Sequence, residues 1–582
     1  MYLEKINSSA DIKKLSLNEL QPLADEVRKA VINKISKAGG HQGPNLGVVE
    51  LTVALHYVFD TPKDKLVFDV SHQCYPHKIL TGRKQAFLEE EHFHDVTGYT
   101  NPLESEYDLF TIGHTSTSVS LALGLCKGRD VNGRNENVIA LIGDGSLSGG
   151  EALEALDTAG EYNGNLIIIV NDNDQSIAEN HGGLYKTLKK LRETNGTCEE
   201  NLFKGFGLDY KYIGDGHDIK KLVEVLQSVK NCTKPVVVHV HTIKGKGLPY
   251  AEKNREEYHA GGPFNVEDGS PKYSYEEDPT VYQSLIELLE NDKKSVIVNA
   301  GTPMGLGFVG KVRDEWEKKG RFIDVGIAEE NGVAMTSGIA KNGGTAVFGT
   351  YASFFQRTYD QMSHDVCLNS SNATFIILEA GIYGSNSNTH IALCDISMFA
   401  HIPNLIYLAP TSKEEYEAMF KFATTQKKNP VAIRVPLKMQ KTGIKDLTDY
   451  SKLNRNQVVN KGSKIAIFGV SNMLPRALEA AAEYKKQTGV EVTVINPKFL
   501  TGLDEQLLKS LEQNHELVIT LEDGETEGGY GSRIASFYGC SKIKVKTLGI
   551  SKVFYTDFDA EDILDKEGMS VEKLVQLMKS YS

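Results

Sequence analysis

The sequence predicts an α/β protein of three successive domains, each with a mostly parallel sheet. Three observations lead there. Short apolar runs alternate with stretches of helical period through most of the chain, the pattern of strands joined by crossover helices. Two polar stretches without periodicity, 251–277 and 438–456, interrupt that alternation and read as linkers. The chain's 582 residues are also more than one hydrophobic core sustains. The domains expected are 1–275, 276–440 and 455–582.

The elements follow in order. Leu20 to Ala38 has helical period and breaks at Gly39-Gly40-His41-Gln42-Gly43-Pro44, a loop signal. Val48 to Phe59 reads as a buried helix and 66–70 as a short buried strand. Gly113-His114-Thr115-Ser116-Thr117-Ser118 opens a helix of small and apolar residues, whose free N–H groups are expected to face an anion. Val138 to Asn173 forms a strand–helix–strand unit. Residues 174–203 are polar and glycine-containing and are expected to be a mobile loop, ahead of a buried strand at 236–241. In the second block, strands are predicted at 295–299, 322–325, 345–349, 373–378, 405–409 and 431–435. In the third they are predicted at 464–469, 491–495, 517–521 and 543–547, with helices over 474–484 and 560–581.

The strand–helix–strand unit carries the first chemistry. A right-handed crossover ends both strands on one sheet edge, so Asp144 of Gly143-Asp144-Gly145 should meet Asn173 of Asn171-Asp172-Asn173 where open α/β sheets bind ligands. A carboxylate, an amide oxygen and backbone carbonyls suit Mg²⁺ completed by phosphate oxygens and suit zinc poorly. Glycines on both sides of Asp144 allow a diphosphate to approach the backbone. Taken alone, the Gly-Asp-Gly triplet is equally a strand-end turn.

Bulk properties narrow the class. Apolar residues make up 40% and charged residues 24%, an ordinary globular composition. The net charge of -13 argues against non-specific nucleic-acid binding. No apolar stretch has the length of a membrane span, and the N-terminus lacks the apolar segment of a signal peptide. Seven scattered cysteines without a Cys-x-x-Cys spacing point to a reducing compartment, without structural zinc or disulfides. A cytoplasmic protein is expected. No Gly-x-Gly-x-x-Gly follows a strand, which sets aside nicotinamide chemistry.

Further motifs run along the whole chain in one order: GGHQGPNLG, FDVSHQCYPHKILTGR, TIGHTSTSVSLALG, IGDG with VNDN, GDGHD, HTIKGKG, EYHA, FIDVGIAEE, YASFFQRTYDQMSHDV, AGIYG with TH, and IRVP. Together they resemble the transketolase superfamily, in its 1-deoxy-D-xylulose-5-phosphate synthase branch. The resemblance implies a transketolase-like fold, thiamine diphosphate and Mg²⁺ as cofactors, and a homodimer. It implies decarboxylation of pyruvate and its ligation to an aldose phosphate, glyceraldehyde 3-phosphate in that branch. Asp144, Asn173 and Gln175, the last by its carbonyl, would hold the metal. His72, Gly113, His114, Thr115, Ser116, Gly143, Gly145 and Ser146 would line the cofactor together with Phe354, which would stack on its pyrimidine, and Arg357.

The resemblance assigns Glu329 as the catalytic acid at the pyrimidine, a carboxyl kept partly protonated by an apolar site. His41, His259 and His390 are candidates to hold substrate oxygens or shuttle protons. Tyr351, Arg357, Asn386 and His390 would contact substrate. Arg434, at a strand end, is read as a bidentate clamp for phosphate or carboxylate.

The sequence departs from the family pattern mainly in the acceptor half. Glu379 stands where the family has an arginine, Asn386 where it has an aspartate, Glu330-Asn331 where it has Gln-His, and Leu248 where it has a tyrosine. The segment after Asn173 is also short. These departures keep two other readings open: a transketolase-like carboligase with a different donor or acceptor, and a non-catalytic thiamine-binding paralogue.

Overall fold

The computed structural model describes residues 1–273, 278–437, 439–443 and 445–581. Parts of both predicted linkers, 274–277, 438 and 444, lie outside the described residues. The chain forms two compact units, one of residues 1–276 with 326–328, the other of 277–325 with 329–582.

The first unit is built on five strands: β1 (Lys65–Phe68), β2 (Val138–Gly143), β3 (Ile167–Asp172), β4 (Asp209–Ile213) and β5 (Val236–His241), in the order β1-β2-β3-β5-β4. All neighbours are parallel. β2 and β3 are buried nearly throughout, as runs such as Ile167-Ile168-Ile169-Val170 require when helices cover both faces. Those helices include α1 (Leu20–Ala38), α2 (Val49–Val58), α3 (Ser118–Val131), α4 (Gly150–Glu161), α5 (Gly183–Glu193) and α6 (Ile219–Val229).

Three expectations are corrected here. The segment 174–203 is not all loop, because α5 buries Tyr185, Leu188 and Leu191 at helical spacing. β4 and α6 went unread. α6 buries Ile219, Leu222, Val223, Leu226 and Val229, each worth about 1.5–3 kcal/mol of burial. The supposed linker folds back on its own unit. Gly40–His41 pairs antiparallel with Ala260–Gly261, Gly43 N donates to Tyr258 O (2.8 Å), and Phe264 N donates to Ser36 O (3.1 Å).

The second unit holds two sheets. One contains β6 (Ser295–Asn299), β7 (Phe322–Asp324), β8 (Thr345–Tyr351), β9 (Thr374–Leu378), β10 (Ile406–Leu408) and β11 (Val431–Val435), all parallel, in the order β10-β11-β9-β8-β6-β7. The helix α7 (Glu329–Lys341) follows β7. The other sheet contains β12 (Gln457–Asn460), β13 (Lys464–Gly469), β14 (Thr493–Asn496), β15 (His515–Glu525) and β16 (Lys544–Ile550), in the order β12-β14-β13-β15-β16, with only β12 antiparallel.

The helix expected over 560–581 is two, Ala560–Lys566 and Val571–Ser580, divided at Gly568, whose φ of 82° lies in the left-handed region. The described residues of the second predicted linker are pinned to the fold: Tyr450 is buried, and Lys498 Nζ donates to Asp446 Oδ1 (2.8 Å). Among the described residues, no helix is long and apolar enough to cross a membrane.

Candidate functional site

The first unit assembles a polar corner at the carboxyl ends of β2 and β3. Asp144 is buried, and its Oδ2 accepts from Gln175 N (3.1 Å) and Asn180 Nδ2 (2.7 Å). Burial, and then the neighbouring Asp172 charge, push its carboxyl well above the ordinary range. Asn173 is buried too, and its Oδ1 has no hydrogen-bond partner. An orphaned amide oxygen beside a destabilised carboxylate is what a cation would satisfy, so the donor set fits Mg²⁺. Gly145 permits the close approach of the next segment: a Cβ there would lie 2.9 Å from Ser176 Cβ. Asp172 is committed elsewhere, to His239 Nε2 (2.8 Å) and to Arg192 Nη1 (2.8 Å to each carboxylate oxygen).

The loop Gly113–Ser118 differs from expectation at its N–H groups. Ser116 N (2.8 Å) and Ser118 N (2.9 Å) donate to the two oxygens of buried Asp69. An internal carboxylate therefore holds the amides predicted to face an anion. Ser116 Oγ donates to Ser146 O (2.8 Å), which ties this loop to the Asp144 turn. Gly113, His114 and Thr115 remain ahead of that tether. The backbone is strained beside it: Val70, Ser71 and Ser116 have φ of 58°, 66° and 75°. A β-branched residue in that region is an outlier of the sort that clusters at ligand sites.

Three predicted histidines come together. The His41 ring lies 5.1 Å from His72 and 5.7 Å from His259, and His72 lies 5.3 Å from His259. The Gly40–His41 ribbon with Ala260–Gly261 sets this convergence. Burial, followed by the Lys244 charge, pulls His41 down to about 4 and His259 well below its usual value. Both rings are therefore neutral at pH 7. Lys244 itself is buried, and its Nζ donates to Ser176 O (2.6 Å). Burial lowers it to about 7, against the opposing pull of Asp144.

Lys244, Asn180, Asp69 and Arg255, whose Nη1 donates to Asn173 O (3.2 Å), were not among the candidates. Lys244 carried a signal in its Lys-Gly-Lys-Gly motif and Asp69 in the FDVSHQCYPHKILTGR motif.

In the second unit Glu329 is the first residue of α7. It is buried, and its Oε2 has no hydrogen-bond partner. Burial pushes its carboxyl up to about 7, with the Arg357 charge opposing. Tyr351, Phe354 and His390 form a chain of ring contacts, 5.9 Å and 5.6 Å between centroids. His390 Nδ1 bonds Thr389 Oγ1 (2.8 Å). Asn386 is exposed, and its carbonyl accepts from Asp557 N (3.0 Å).

Arg434 is not a clamp for substrate. It is fully buried, with Nε 2.7 Å from Asp395 Oδ2 and Nη1 2.8 Å from Asp523 Oδ1. Two carboxylates already occupy its guanidinium, which sequence could not reveal because Asp395 and Asp523 lie far along the chain.

Comparison with known proteins agrees along the full length. The family model for 1-deoxy-D-xylulose-5-phosphate synthase matches residues 3–199 and 193–242. The transketolase pyrimidine-binding domain matches 280–440 and the transketolase C-terminal domain 455–574. The 1-deoxy-D-xylulose-5-phosphate synthase of Natranaerobius thermophilus is 39% identical over 98% of this chain and 97% of its own. That of Caldanaerobacter subterraneus subsp. tengcongensis is 37% identical over 98% of both chains. That of Clostridium beijerinckii is 38% identical over 100% and 99%.

Proposed function

The chain belongs to the 1-deoxy-D-xylulose-5-phosphate synthase family of transketolase-type, thiamine diphosphate-dependent transferases, and on that premise we propose that it decarboxylates pyruvate and joins the remaining acetyl unit to glyceraldehyde 3-phosphate, using Mg²⁺. The product would be 1-deoxy-D-xylulose 5-phosphate, a precursor for isoprenoids, thiamine and pyridoxal. A cytoplasmic homodimer is part of the proposal.

The observation that carries it is Glu329: a buried carboxyl, unbonded at Oε2, that retains a proton up to about pH 7. Thiamine diphosphate, when bound, supplies the sink for the electron pair left by departing CO₂. The protein supplies the rest. Asp144 and Asn173 hold the cation, with Gln175 and Asn180 steadying the Asp144 carboxylate. Glu329 holds a proton for the cofactor's ring nitrogen. His41 and His259, kept neutral by burial, are able to accept a proton from a substrate hydroxyl or donate to its oxygen. His259 Nδ1 is buried without a hydrogen-bond partner, so it is available for that bond.

The test is CO₂ release from pyruvate with thiamine diphosphate and Mg²⁺, with and without glyceraldehyde 3-phosphate, and with the sugar product identified. No release under either condition would reject the proposal. A second reading, a carboligase with another acceptor, is favoured by Glu379, and a panel of aldehydes separates the two. A non-catalytic paralogue is disfavoured by the retained Asp144, Asn173 and Glu329.

A further inference from the structure

The loop that follows β9 carries an inference about the acceptor. Glu379 begins it at the carboxyl end of the strand, held by Glu379 N donating to Val435 O (3.0 Å) and fixed at a φ of 54°. The loop closes by Gly381 N donating to Ala392 O (2.9 Å). It curls back over the glutamate, so that a Cβ on Gly384 would stand 3.3 Å from Glu379 Cβ. Its outer part is anchored by Ile382 N to Asp523 O (2.9 Å), Tyr383 OH to Glu561 Oε1 (2.7 Å) and Asp557 N to Asn386 O (3.0 Å). The loop is thus a built surface at a sheet edge where α/β folds bind ligands.

Its chemistry is neutral or acidic. Residues 358–412 contain no lysine or arginine. The side chains offered are hydroxyls, amides and an imidazole: Ser385, Asn386, Ser387, Asn388, Thr389 and His390. Among the described residues, none pairs a cation with the Glu379 carboxyl, and burial alone raises it to about 7. Two guanidiniums of this unit, Arg434 and Arg476, are already paired with carboxylates. Arg434 faces Asp395 and Asp523, while Arg476 Nη2 donates to Glu561 Oε2 (2.6 Å). Arg357 lies close enough to Glu329 to act on its carboxyl. A phosphate dianion brought to this loop would meet a carboxyl and no lysine or arginine of the loop itself, the reverse of an arginine fork.

Resting on the carboligase reading above, we propose that the 379–391 loop recognises the acceptor by its hydroxyl and carbonyl oxygens and gives no charge pairing to a phosphate, so that this chain ligates an unphosphorylated hydroxyaldehyde about as well as a phosphorylated one. In the balanced reaction, pyruvate, RCHO and one H⁺ give CH₃CO–CH(OH)R and CO₂. The bond between pyruvate's carboxylate and keto carbon breaks, its electron pair forms the new bond to the aldehyde carbon, and the proton ends on the new hydroxyl.

The experiment compares kcat/KM for D-glyceraldehyde 3-phosphate and D-glyceraldehyde, with pyruvate saturating and CO₂ release recorded alongside. Values within about tenfold of each other are expected, since hydroxyl contacts are common to both aldehydes. A preference for the phosphorylated aldehyde beyond about tenfold overturns the inference. Glu379→Arg should raise that preference at least about tenfold by supplying a guanidinium fork for the phosphate. Glu379→Gln, which keeps shape and removes charge, serves if the arginine variant fails to fold and should move the ratio the same way by a smaller factor. An unchanged ratio in the folded variant also overturns the inference. CO₂ release with no ligated product from either aldehyde overturns this inference and leaves the donor half of the reading standing. Absence of CO₂ release overturns both.

Discussion

Asp144 and Glu379 make an instructive pair. Both are acids at the carboxyl ends of buried parallel strands, and burial raises both above the ordinary carboxylate range. Their surroundings differ. Asp144 receives hydrogen bonds from Gln175 and Asn180, stands in the field of Lys244, and shares its corner with the orphaned oxygen of Asn173. Glu379 has burial and little else acting on it. The donors around the first acid favour an ionised carboxylate, as the proposed cation site requires. The second lies in a loop without cationic side chains and discourages an anion. Desolvation therefore serves opposite ends, and the partners around the group decide which.

The comparison can be tested from its strongest point outward. Glu329→Gln should lower turnover by about 10²–10⁴-fold, the usual worth of a positioned acid, while calorimetry still detects thiamine diphosphate binding. Full activity in that variant would remove the assigned mechanism. Arg434→Met should act on stability rather than on acceptor KM, because it strands Asp395 and Asp523 in the interior. A loss of about 3–5 kcal/mol in denaturant unfolding is expected, and a large KM effect in a stable variant would return Arg434 to the substrate site.

The pH dependence of the apo protein follows from Glu329. Its carboxyl is raised from 4.5 to about 7 by burial, so the folded chain binds that proton more tightly than the unfolded one. The stabilisation is fully present below about pH 4.5 and is lost as pH rises through 7, a change on the order of 3 kcal/mol. Melting curves should show Glu329→Gln gaining on the parent between pH 5 and pH 8, and a constant difference would contradict the assignment. The smallest effect is expected at Asn180. Asn180→Ala removes a donor that steadies Asp144 and should weaken Mg²⁺ dependence by roughly 10–100-fold, read from activation by titrated metal.

Much of the fold was legible because it rests on local periodicity. The helix Leu20–Ala38 has the predicted bounds, and β2, α4 and β3 fall where their alternation put them. The elements that escaped are those whose signal is diluted. α5 carries three buried residues among lysines, and the single helix read over 560–581 hid a left-handed glycine. The candidate site was legible in its residue types, since a strand-end Asp with an Asn one crossover later is a short-range pattern. Its pairings were not. Asp69 reaches the amides of Ser116 and Ser118 across 47 and 49 residues, and Arg434 meets Asp395 across 39.

The sequence by itself determined the α/β architecture and the family, and it singled out the candidate acids. Periodic burial and motif order are written along the chain and need no partner to be read. Only the tertiary structure decided which groups are already satisfied. It set Asp69 on the helix amides, two carboxylates on Arg434, and three histidines against one another, while Asn173 Oδ1 and Glu329 Oε2 were left unbonded. Whether a buried polar group is committed or available depends on atoms brought together from distant segments, and folding alone supplies that information.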